Sequence, residues 1–444
     1  MMDIAKKPRP GEARGSEAHG PGGHDAPFRS FWMAGFECCD HVNACGQRVD
    51  LLETTGHLGD LDADFARLKA FGMLTVREGI RWSKVETAPY RYDWGEVRRI
   101  DAAARRHGIQ VIWDICHFGY ADDLHSPLHP EFVGRFAALC EAFALLLREL
   151  DPDGRPAVVP INEVSFVAWM ACRANASGQY VIAQGWESKY RLMQAFIQGV
   201  KRMKQVLPGL LVMITEPLVS IVPASDDPAE AEAAREVYGH QFQAVDILLG
   251  RICPELGGGP ELLDVIGYNY YYDNQREYGT ERVLDWHPHA HEPRRLPLHR
   301  LLADAYERYG KPLIISETSH PLEERPQWMD MIGGETAEAI RRGLPLLGVC
   351  IYPVIDRPDW DFLDRWHHSG LWDNCIPQQE GPAADAPAGE AVPDAPAPAR
   401  VLHEPFAASL RRAQALVAET LAESSARGSG IRGVIRGAGA ASSE

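Results

Sequence analysis

Residues 61–77, with the sequence LDADFARLKAFGMLTVR, contain the repeating unit that predicts the fold. Apolar residues recur at helical spacing over Leu61–Phe71, and Gly72 provides a helix stop. Met73–Arg77 is then a short apolar run with the length of a buried strand. The same order of helix, glycine and strand returns at 93–116. Helices that alternate with short buried strands predict a parallel sheet.

Eight such strands are predicted along the chain, with amphipathic helices between them. The predicted strands are Phe31–Phe36, Met73–Arg77, Ile109–Cys116, Val158–Ile161, Leu210–Ile214, Val265–Tyr268, Leu313–Ile315 and Leu347–Tyr352. The predicted helices are Leu61–Phe71, Asp93–His107, Pro130–Leu150, Glu187–Val206, Glu230–Arg251 and Leu298–Tyr309. Eight alternating units predict an α/β fold with a single closed (β/α)8 TIM barrel. The alternative is a doubly wound open sheet, but no glycine-rich phosphate loop follows the first strand, so the barrel is preferred.

The composition separates this barrel from less regular ends. Residues 1–28 are rich in Gly, Pro and charge, which predicts a disordered N-terminal leader. The barrel is expected to occupy residues 29–376. A C-terminal Pro/Ala-rich linker at 377–400, a helix at 401–423 and a disordered tail at 424–444 are expected to follow.

Charge and cysteine usage exclude several classes of partner. The 444 residues carry a formal net charge of −17, which repels nucleic-acid phosphates and anionic lipids, so no nucleic acid and no membrane is expected as a partner.

The nine cysteines form no C-x-x-C pair, and several lie in apolar runs, as is typical of reduced, buried thiols. The first residues contain no apolar signal segment, so a cytoplasmic location is predicted. The His-rich run 286–291 lacks the spacing of a metal motif, so neither a metal nor another cofactor is expected.

Polar residues follow the predicted strands, at the edge where TIM barrels carry their active sites. Asn162 and Glu163 follow the fourth strand, and Glu317 follows the seventh. These strands are nearly opposite each other in an eight-stranded barrel, so the two carboxylates can face each other across its mouth. Glycoside hydrolysis needs such a pair: one group protonates the leaving oxygen, and the other attacks the anomeric carbon or activates water. Either glutamate alone could instead cap a helix or form an ion pair, but the pair favours catalysis.

Seven sequence motifs, of which Arg77 and Trp82-Ser83-Lys84 share the first block below, resemble in order over residues 31–374 those of the family 1 β-glycosidases in clan A of the glycoside hydrolases. The motifs are carried by DFARLKAFGMLTVREGIRWSKVETAP (64–89), His117 after VIWDIC, Asn162-Glu163, IGYNYYY (266–272), Glu317 in SET, and GVCIYPVIDRPDW (348–360). The resemblance implies a retaining, β-glucosidase-like enzyme that hydrolyses a small O-glycoside by double displacement. A small-molecule glycoside is therefore the expected partner.

The resemblance also implies a role for each matching residue. Glu163 would be the acid/base and Glu317 the nucleophile. Two other side chains would tune Glu317 and keep it ionised, namely Arg77 and Tyr271. The sugar-binding set would comprise Asn162, which contacts the 2-hydroxyl, together with His117, Asn269, Tyr352, Asp359 and Trp360.

Each of these residues also has a structural interpretation. Arg77 could form an ion pair with Glu78 or Asp114, and Tyr271 could be a packed aromatic residue at the barrel rim. His117 could be a buried structural histidine, and Asn162 could cap the turn after its strand. The residues after the eighth strand could simply be solvated.

The sequence also departs from the family pattern. Val164 replaces a proline, Thr318-Ser319 replace Asn-Gly, and Asp359 stands where the family has a glutamate that binds distal hydroxyls. The strand-one glutamine of the family has no clear counterpart, and Glu37, Asp40 or His41 could substitute for it. Two other functions keep the same fold: a transglycosidase in a biosynthetic pathway, and a catalytically silent sugar-binding barrel.

Overall fold

Eight parallel strands close into a barrel in the computed structural model, which describes residues 26–43, 45–171, 185–375 and 399–426. The barrel closes where Trp32–Ala34 pair with Val349–Ile351. The (β/α)8 barrel is therefore confirmed, and the open sheet is excluded. The strands are β1 (Trp32–Gly35), β2 (Thr75–Gly79), β3 (Gln110–Cys116), β4 (Ala157–Ile161), β5 (Leu211–Pro217), β6 (Val265–Asn269), β7 (Leu313–Thr318) and β8 (Leu346–Ile351).

The helices lie outside the barrel, and glycines end several of them as predicted. Gly72, Gly108 and Gly310 adopt left-handed φ angles of 63°, 69° and 62°. The predicted helix Glu230–Arg251 is broken by a tight turn at His240–Phe242. The α-helices are α1 (Leu51–Thr54), α2 (Leu61–Leu68), α3 (Trp82–Val85), α4 (Gly95–His107), α5 (Phe132–Leu150), α6 (Val164–Ala171), α7 (Gly185–Val206), α8 (Pro228–Gly239), α9 (Gln243–Leu248), α10 (Leu298–Tyr309), α11 (Arg325–Arg341) and α12 (Glu404–Ala426).

Helix α11 is not predicted by the sequence pattern, and its packing explains why. It packs against α12 as well as the barrel, so its apolar residues are not confined to one stripe. Gly333 lies in its middle, where a Cβ would come within 2.5 Å of the Cβ of Ala413. Close contact between the two helices therefore needs a glycine at a position where helix propensity disfavours it.

The core has two layers, which follow from the alternation of side chains along each strand. Inside the barrel, buried apolar side chains from successive strands pack together, among them Met33, Ile112, Val159, Met213, Ile314 and Cys350. The outward-facing side chains pack against the surrounding helices. Seven cysteines of the described chain are free thiols, namely Cys38, Cys39, Cys45, Cys116, Cys140, Cys253 and Cys350. No helix in the described part of the chain is long and apolar enough to cross a bilayer.

The C-terminal segment returns to the barrel through a two-stranded sheet. β9 (Trp372–Cys375) pairs antiparallel with β10 (Ala399–Leu402), and α12 follows. Residues 399 and 400, which were expected to belong to the linker, therefore begin a strand. The rest of the predicted linker, residues 1–25 of the predicted leader and residues 427–444 of the predicted tail lie outside the described residues.

A buried ionic network joins this segment to the outer face of β2. Glu78 Oε1 and Asp64 Oδ2 each lie 2.8 Å from a different ring nitrogen of His57. The guanidinium of Arg400 in turn donates to both oxygens of Asp64, at 3.1 and 3.0 Å. All four side chains are 0–1% exposed. β10 is thus attached to the barrel by charge as well as by backbone pairing.

Candidate active site

The carboxyl ends of the strands bring the predicted residues into one buried cluster. β2 supplies Arg77, β6 supplies Asn269 and β7 supplies Glu317, while four more follow the ends of strands or lie in the loop beyond. These four are His117 after β3, Asn162 and Glu163 after β4, and Tyr271 beyond β6. Hydrogen bonds connect all seven, with Ser316 linking Asn269 and Glu163 to Arg77, so the barrel edge organises them as a single site.

Arg77 is the centre of this cluster and is completely buried. Its Nη1 donates to Glu317 Oε1 at 2.8 Å and to the Ser316 carbonyl at 2.9 Å. Its Nη2 donates to Asp114 Oδ2 at 2.7 Å and to Asn162 Oδ1 at 3.0 Å. The guanidinium therefore balances two buried carboxylates and fixes side chains from three other strands. The ion pair between Arg77 and Asp114, which was the structural alternative for Arg77, is present together with the contact between Arg77 and Glu317.

Both carboxylate oxygens of Glu317 are held by donors. Oε1 accepts from Arg77, and Oε2 accepts from the Tyr271 hydroxyl at 2.8 Å. Burial raises the pKa of Glu317, while the charges of Arg77 and His117 and the Tyr271 hydrogen bond oppose that rise. A carboxylate with a cation and a hydroxyl donor aimed at it is oriented and favoured in its ionised form.

Glu163 has different surroundings, although it is buried in the same site. Its Oε1 accepts from Asn269 Nδ2 at 2.9 Å. Burial raises the pKa of Glu163 well above its ordinary value, and the negative charges of Glu317 and Glu216 raise it further. Burial thus raises the pKa of both candidate catalytic carboxyls, but Glu317 has a cation and a hydroxyl donor that favour its ionised form, whereas neighbouring negative charges raise the pKa of Glu163 further. Such a difference is what an acid and a nucleophile require.

Neighbouring side chains fix the two asparagine amides. Asn162 Oδ1 accepts from the Thr215 hydroxyl at 2.7 Å, and its Nδ2 lies 3.3 Å from His117 Nε2. Asn269 Oδ1 accepts from the Ser316 hydroxyl at 2.6 Å, which directs its Nδ2 to Glu163. Both amides therefore have defined orientations.

His117, Tyr352 and Glu37 form a second group within the site. His117 Nδ1 lies 3.2 Å from Asp114 Oδ2, and its Nε2 lies 3.5 Å from Glu37 Oε1. The Tyr352 hydroxyl lies 3.4 Å from Glu37 Oε1, and its ring is nearly parallel to that of His117. Burial disfavours the charged imidazole, but the Asp114 hydrogen bond and the Glu37 charge outweigh this and raise the pKa of His117. The ring of Tyr352 is 1% exposed.

Asp359 and Trp360, the two predicted sugar-binding residues in the loop beyond β8, make contacts that differ from those of the cluster around Arg77. Asp359 accepts from the backbone N–H groups of Asp361 and Phe362, and it pairs with His367 at 3.1 Å. Its carboxylate thus organises its own turn, and none of its hydrogen bonds within the described structure joins it to the catalytic cluster. Trp360 is half-buried and packs edge-on against Phe118 at 5.2 Å. Its indole N–H is buried and has no hydrogen-bond partner within the described ranges of the chain.

The structure also identifies polar residues that the motifs did not assign. Asp114 contacts both Arg77 and His117, and its position inside an apolar strand was the available signal, since a buried charge needs a partner. Of the three candidates that follow β1, Glu37 reaches the site, with its Oε1 3.5 Å from His117 Nε2. Asp40 instead accepts from Ser83, and His41 packs against Trp360.

Comparison with known proteins supports the fold. No protein-family model and no curated protein matches this chain in sequence. A family 1 β-glucosidase from Thermotoga maritima matches its structure with a TM-score of 0.60 and 15% identity, over 82% of this chain and 87% of that one. A β-glucosidase from Thermotoga maritima in complex with glucoimidazole gives 0.63 and 15%, over 87% and 98%. A hyperthermophilic β-glucosidase from Pyrococcus furiosus gives 0.65 and 15%, over 88% and 97%. The chain has the fold of the family 1 β-glucosidases.

Proposed function

We propose that the protein is a retaining β-glycosidase that hydrolyses a small O-glycoside in the cytoplasm. One observation carries the proposal: two buried carboxyls stand after β4 and in β7, and their surroundings differ. Glu317 is held by Arg77 and Tyr271 at 2.8 Å each, whereas the contact of Glu163 is the neutral amide of Asn269. This asymmetry fits a nucleophile facing a general acid.

The reaction takes two displacements at the anomeric carbon. In the first, Glu317 attacks that carbon as Glu163 gives its proton to the leaving oxygen, so the glycosidic bond breaks and an ester to Glu317 forms. In the second, Glu163 removes a proton from water, the water oxygen attacks the same carbon, and Glu317 leaves. A retaining enzyme needs the two carboxyls about 5–5.5 Å apart, and we expect that separation here.

The remaining polar groups suit recognition of sugar hydroxyls. Asn162 presents an amide of fixed orientation beside the two carboxyls, and it can bind the 2-hydroxyl. His117 and Glu37 offer a donor and an acceptor in the same buried group. Trp360 adds a buried indole N–H that no group among the described residues accepts. A neutral glycoside could satisfy these groups without bringing a further charge into the site.

The same residues bear on the two alternative functions. Transfer of the glycosyl group to an alcohol would use the same covalent intermediate, with that alcohol in place of water. A silent sugar-binding barrel would have no use for a buried carboxylate held between a guanidinium and a tyrosine hydroxyl, because leaving charged groups in a dry site is costly. The arrangement of Arg77, Tyr271 and Glu317 therefore favours catalysis.

The test is to trap the intermediate. The protein is incubated with a panel of 2,4-dinitrophenyl 2-deoxy-2-fluoro-β-glycosides, and intact mass and peptide mapping locate the label. We expect one glycosyl group on Glu317 and none on the Glu317→Gln variant. Glu323→Gln, which changes an exposed glutamate just beyond the same strand, is the matched control and should label like the wild type. A panel that labels nothing and shows no turnover would refute the proposal.

Two further measurements separate the alternatives. Glu163→Ala should lose most activity towards glycosides with poor leaving groups, and azide should restore turnover by forming a β-glycosyl azide. Full activity in that variant would contradict the acid/base assignment. Product analysis with an added alcohol decides between hydrolysis and transfer: a glycoside of the alcohol as the main product at low acceptor concentration would favour a transglycosidase.

A further inference from the structure

The backbone of Glu163 is held in an unusual conformation. Its φ angle is +49°, in the left-handed region that residues with a Cβ rarely occupy. Such a conformation persists only where the surrounding structure holds it. It lies between β4 and α6, at the residue that carries the proposed acid/base carboxyl.

Two consecutive residues of β5 hold this turn from either side. The Glu163 N–H donates to the Thr215 carbonyl at 2.9 Å. The Ser165 N–H donates to the carboxylate of Glu216, at 3.1 Å to Oε2 and 3.3 Å to Oε1. The first contact fixes the start of the turn, and the second fixes the first turn of α6.

Glu216 is a third buried carboxyl, and the proposed chemistry does not use it. It is completely buried at the end of β5. Burial raises its pKa to about 7, while hydrogen bonds from Ser165 and the charge of Lys189 oppose the rise. A buried carboxyl is costly unless it is hydrogen-bonded, and the Ser165 N–H, shared between both oxygens of Glu216, gives this one a local purpose.

We propose that Glu216 is a positioning residue for Glu163: by accepting the Ser165 N–H, it holds the left-handed turn that aims the acid/base carboxyl at the leaving oxygen. This inference rests on the proposed glycosidase function. A displacement of about 1 Å in a catalytic group can cost about a hundredfold in rate, so a turn that relaxes should reduce proton transfer specifically.

Charge is the second way in which Glu216 acts on Glu163. The groups whose charge bears on Glu163 are Glu317, Glu216 and Arg77, of which the first two raise its pKa and the third lowers it. Lys189 bears on Glu216 itself. Removal of the Glu216 charge should therefore lower the pKa of Glu163 and move the alkaline limb of kcat/KM to lower pH, because Glu163 must be protonated in the first step.

The experiment compares two leaving groups in two variants. Values of kcat/KM are measured for a 2,4-dinitrophenyl glycoside, which needs no proton to leave, and for an alkyl glycoside of the same sugar, which does. Glu216→Ala removes the acceptor of the Ser165 N–H, so we expect a loss of about 10- to 100-fold for the alkyl glycoside and less than about threefold for the dinitrophenyl one. Glu216→Gln keeps an acceptor oxygen and should recover most of that loss, with its alkaline limb at lower pH.

The outcomes separate this inference from the proposed function. Glu187→Gln, an exposed glutamate at the start of α7, is the control and should behave as the wild type on both substrates. An equal loss on both substrates, or no loss in either variant, would overturn the positioning role while the labelling of Glu317 still stands. If Glu216→Ala does not fold, Glu216→Asp decides, because it keeps the charge but shortens the reach to the Ser165 N–H. An unchanged kcat/KM for the alkyl glycoside, or an equal loss on both substrates, refutes the inference. A wild-type protein that neither labels nor turns over would refute the proposed function itself.

Discussion

Replacement of Arg77 by methionine should change the pH dependence of catalysis more than any other single substitution in the site. The Arg77 nitrogens lie 2.8 Å from Glu317 Oε1 and 2.7 Å from Asp114 Oδ2. Two unit charges about 4 Å apart interact by about 4 kcal/mol at an effective dielectric constant of about 20. Because one pH unit corresponds to about 1.4 kcal/mol, loss of the cation should raise the pKa of Glu317 by up to about 3.

The consequence is a shift of the acid limb. Glu317 must be ionised to attack, so the acid limb of kcat/KM should move to higher pH by as much as about three pH units. On that limb the variant should be up to about a thousandfold slower than the wild type. Stability should also fall, by about 3–5 kcal/mol, because Asp114 is left buried without its cation.

The assay is a set of kcat/KM values for a dinitrophenyl glycoside between pH 4 and 9, with urea unfolding of the same samples. Arg77→Lys is the informative companion, since it keeps the charge but has three donors on a single nitrogen for the four acceptors that the two guanidinium nitrogens contact. It should keep the acid limb close to that of the wild type while losing rate at every pH. If the methionine variant is folded and its acid limb does not move, Arg77 does not control the ionisation of Glu317, and the electrostatic argument is wrong.

Three further predictions concern single contacts. Tyr271→Phe removes the 2.8 Å hydrogen bond to Glu317, so kcat/KM should fall about tenfold and the acid limb should move to higher pH; an unchanged pH profile would exclude that role. Burial disfavours the charged form of His57, but its carboxylate neighbours raise its pKa to about 9. The charged His57 therefore stabilises the folded protein by up to about 3 kcal/mol below the unfolded pKa of about 6.5, and this stabilisation is lost as pH rises through 9. In denaturant unfolding from pH 6 to 10, the His57→Gln variant should lack this loss of stability with pH. A pH dependence of stability equal to that of the wild type would contradict the prediction. Arg400→Met should cost about 2 kcal/mol in urea unfolding, because Asp64 loses two charged hydrogen bonds but keeps its contacts with His57 and Arg67. A change below about 0.5 kcal/mol would show that the C-terminal contact is marginal.

Much of the site could be predicted because a strand end is a local feature. Glu163 and Glu317 each follow an apolar run, and the alternation of eight strands with helices places both at the same edge of a barrel. Asp114 was visible as a charge inside a buried strand, yet its partners lie on other strands. Glu216 follows an apolar run as the other two do, but nothing local distinguishes a carboxyl that accepts a backbone N–H from one that faces a ligand.

Packing decided the rest of the fold. Helix α11 has no clear apolar stripe because α12 covers a second side of it, and α12 reaches that position only after β10 pairs with β9. Residues 399 and 400 look like the end of a linker in sequence. They form a strand because Arg400 reaches the buried carboxylate of Asp64, which is 336 positions away along the chain.

The order of the eight strands and the residue types at their ends are local properties that can be read from the amino-acid sequence. Which of these groups come into contact depends on how the barrel closes. Arg77 and Glu78 are neighbours in β2, but the pleat sends them to opposite faces. Arg77 meets Asp114 and Glu317 inside the barrel, while Glu78 meets His57 outside it. A buried charge is stabilised by whatever the closed barrel brings within about 3 Å, and only closure brings together strands that are far apart in the chain.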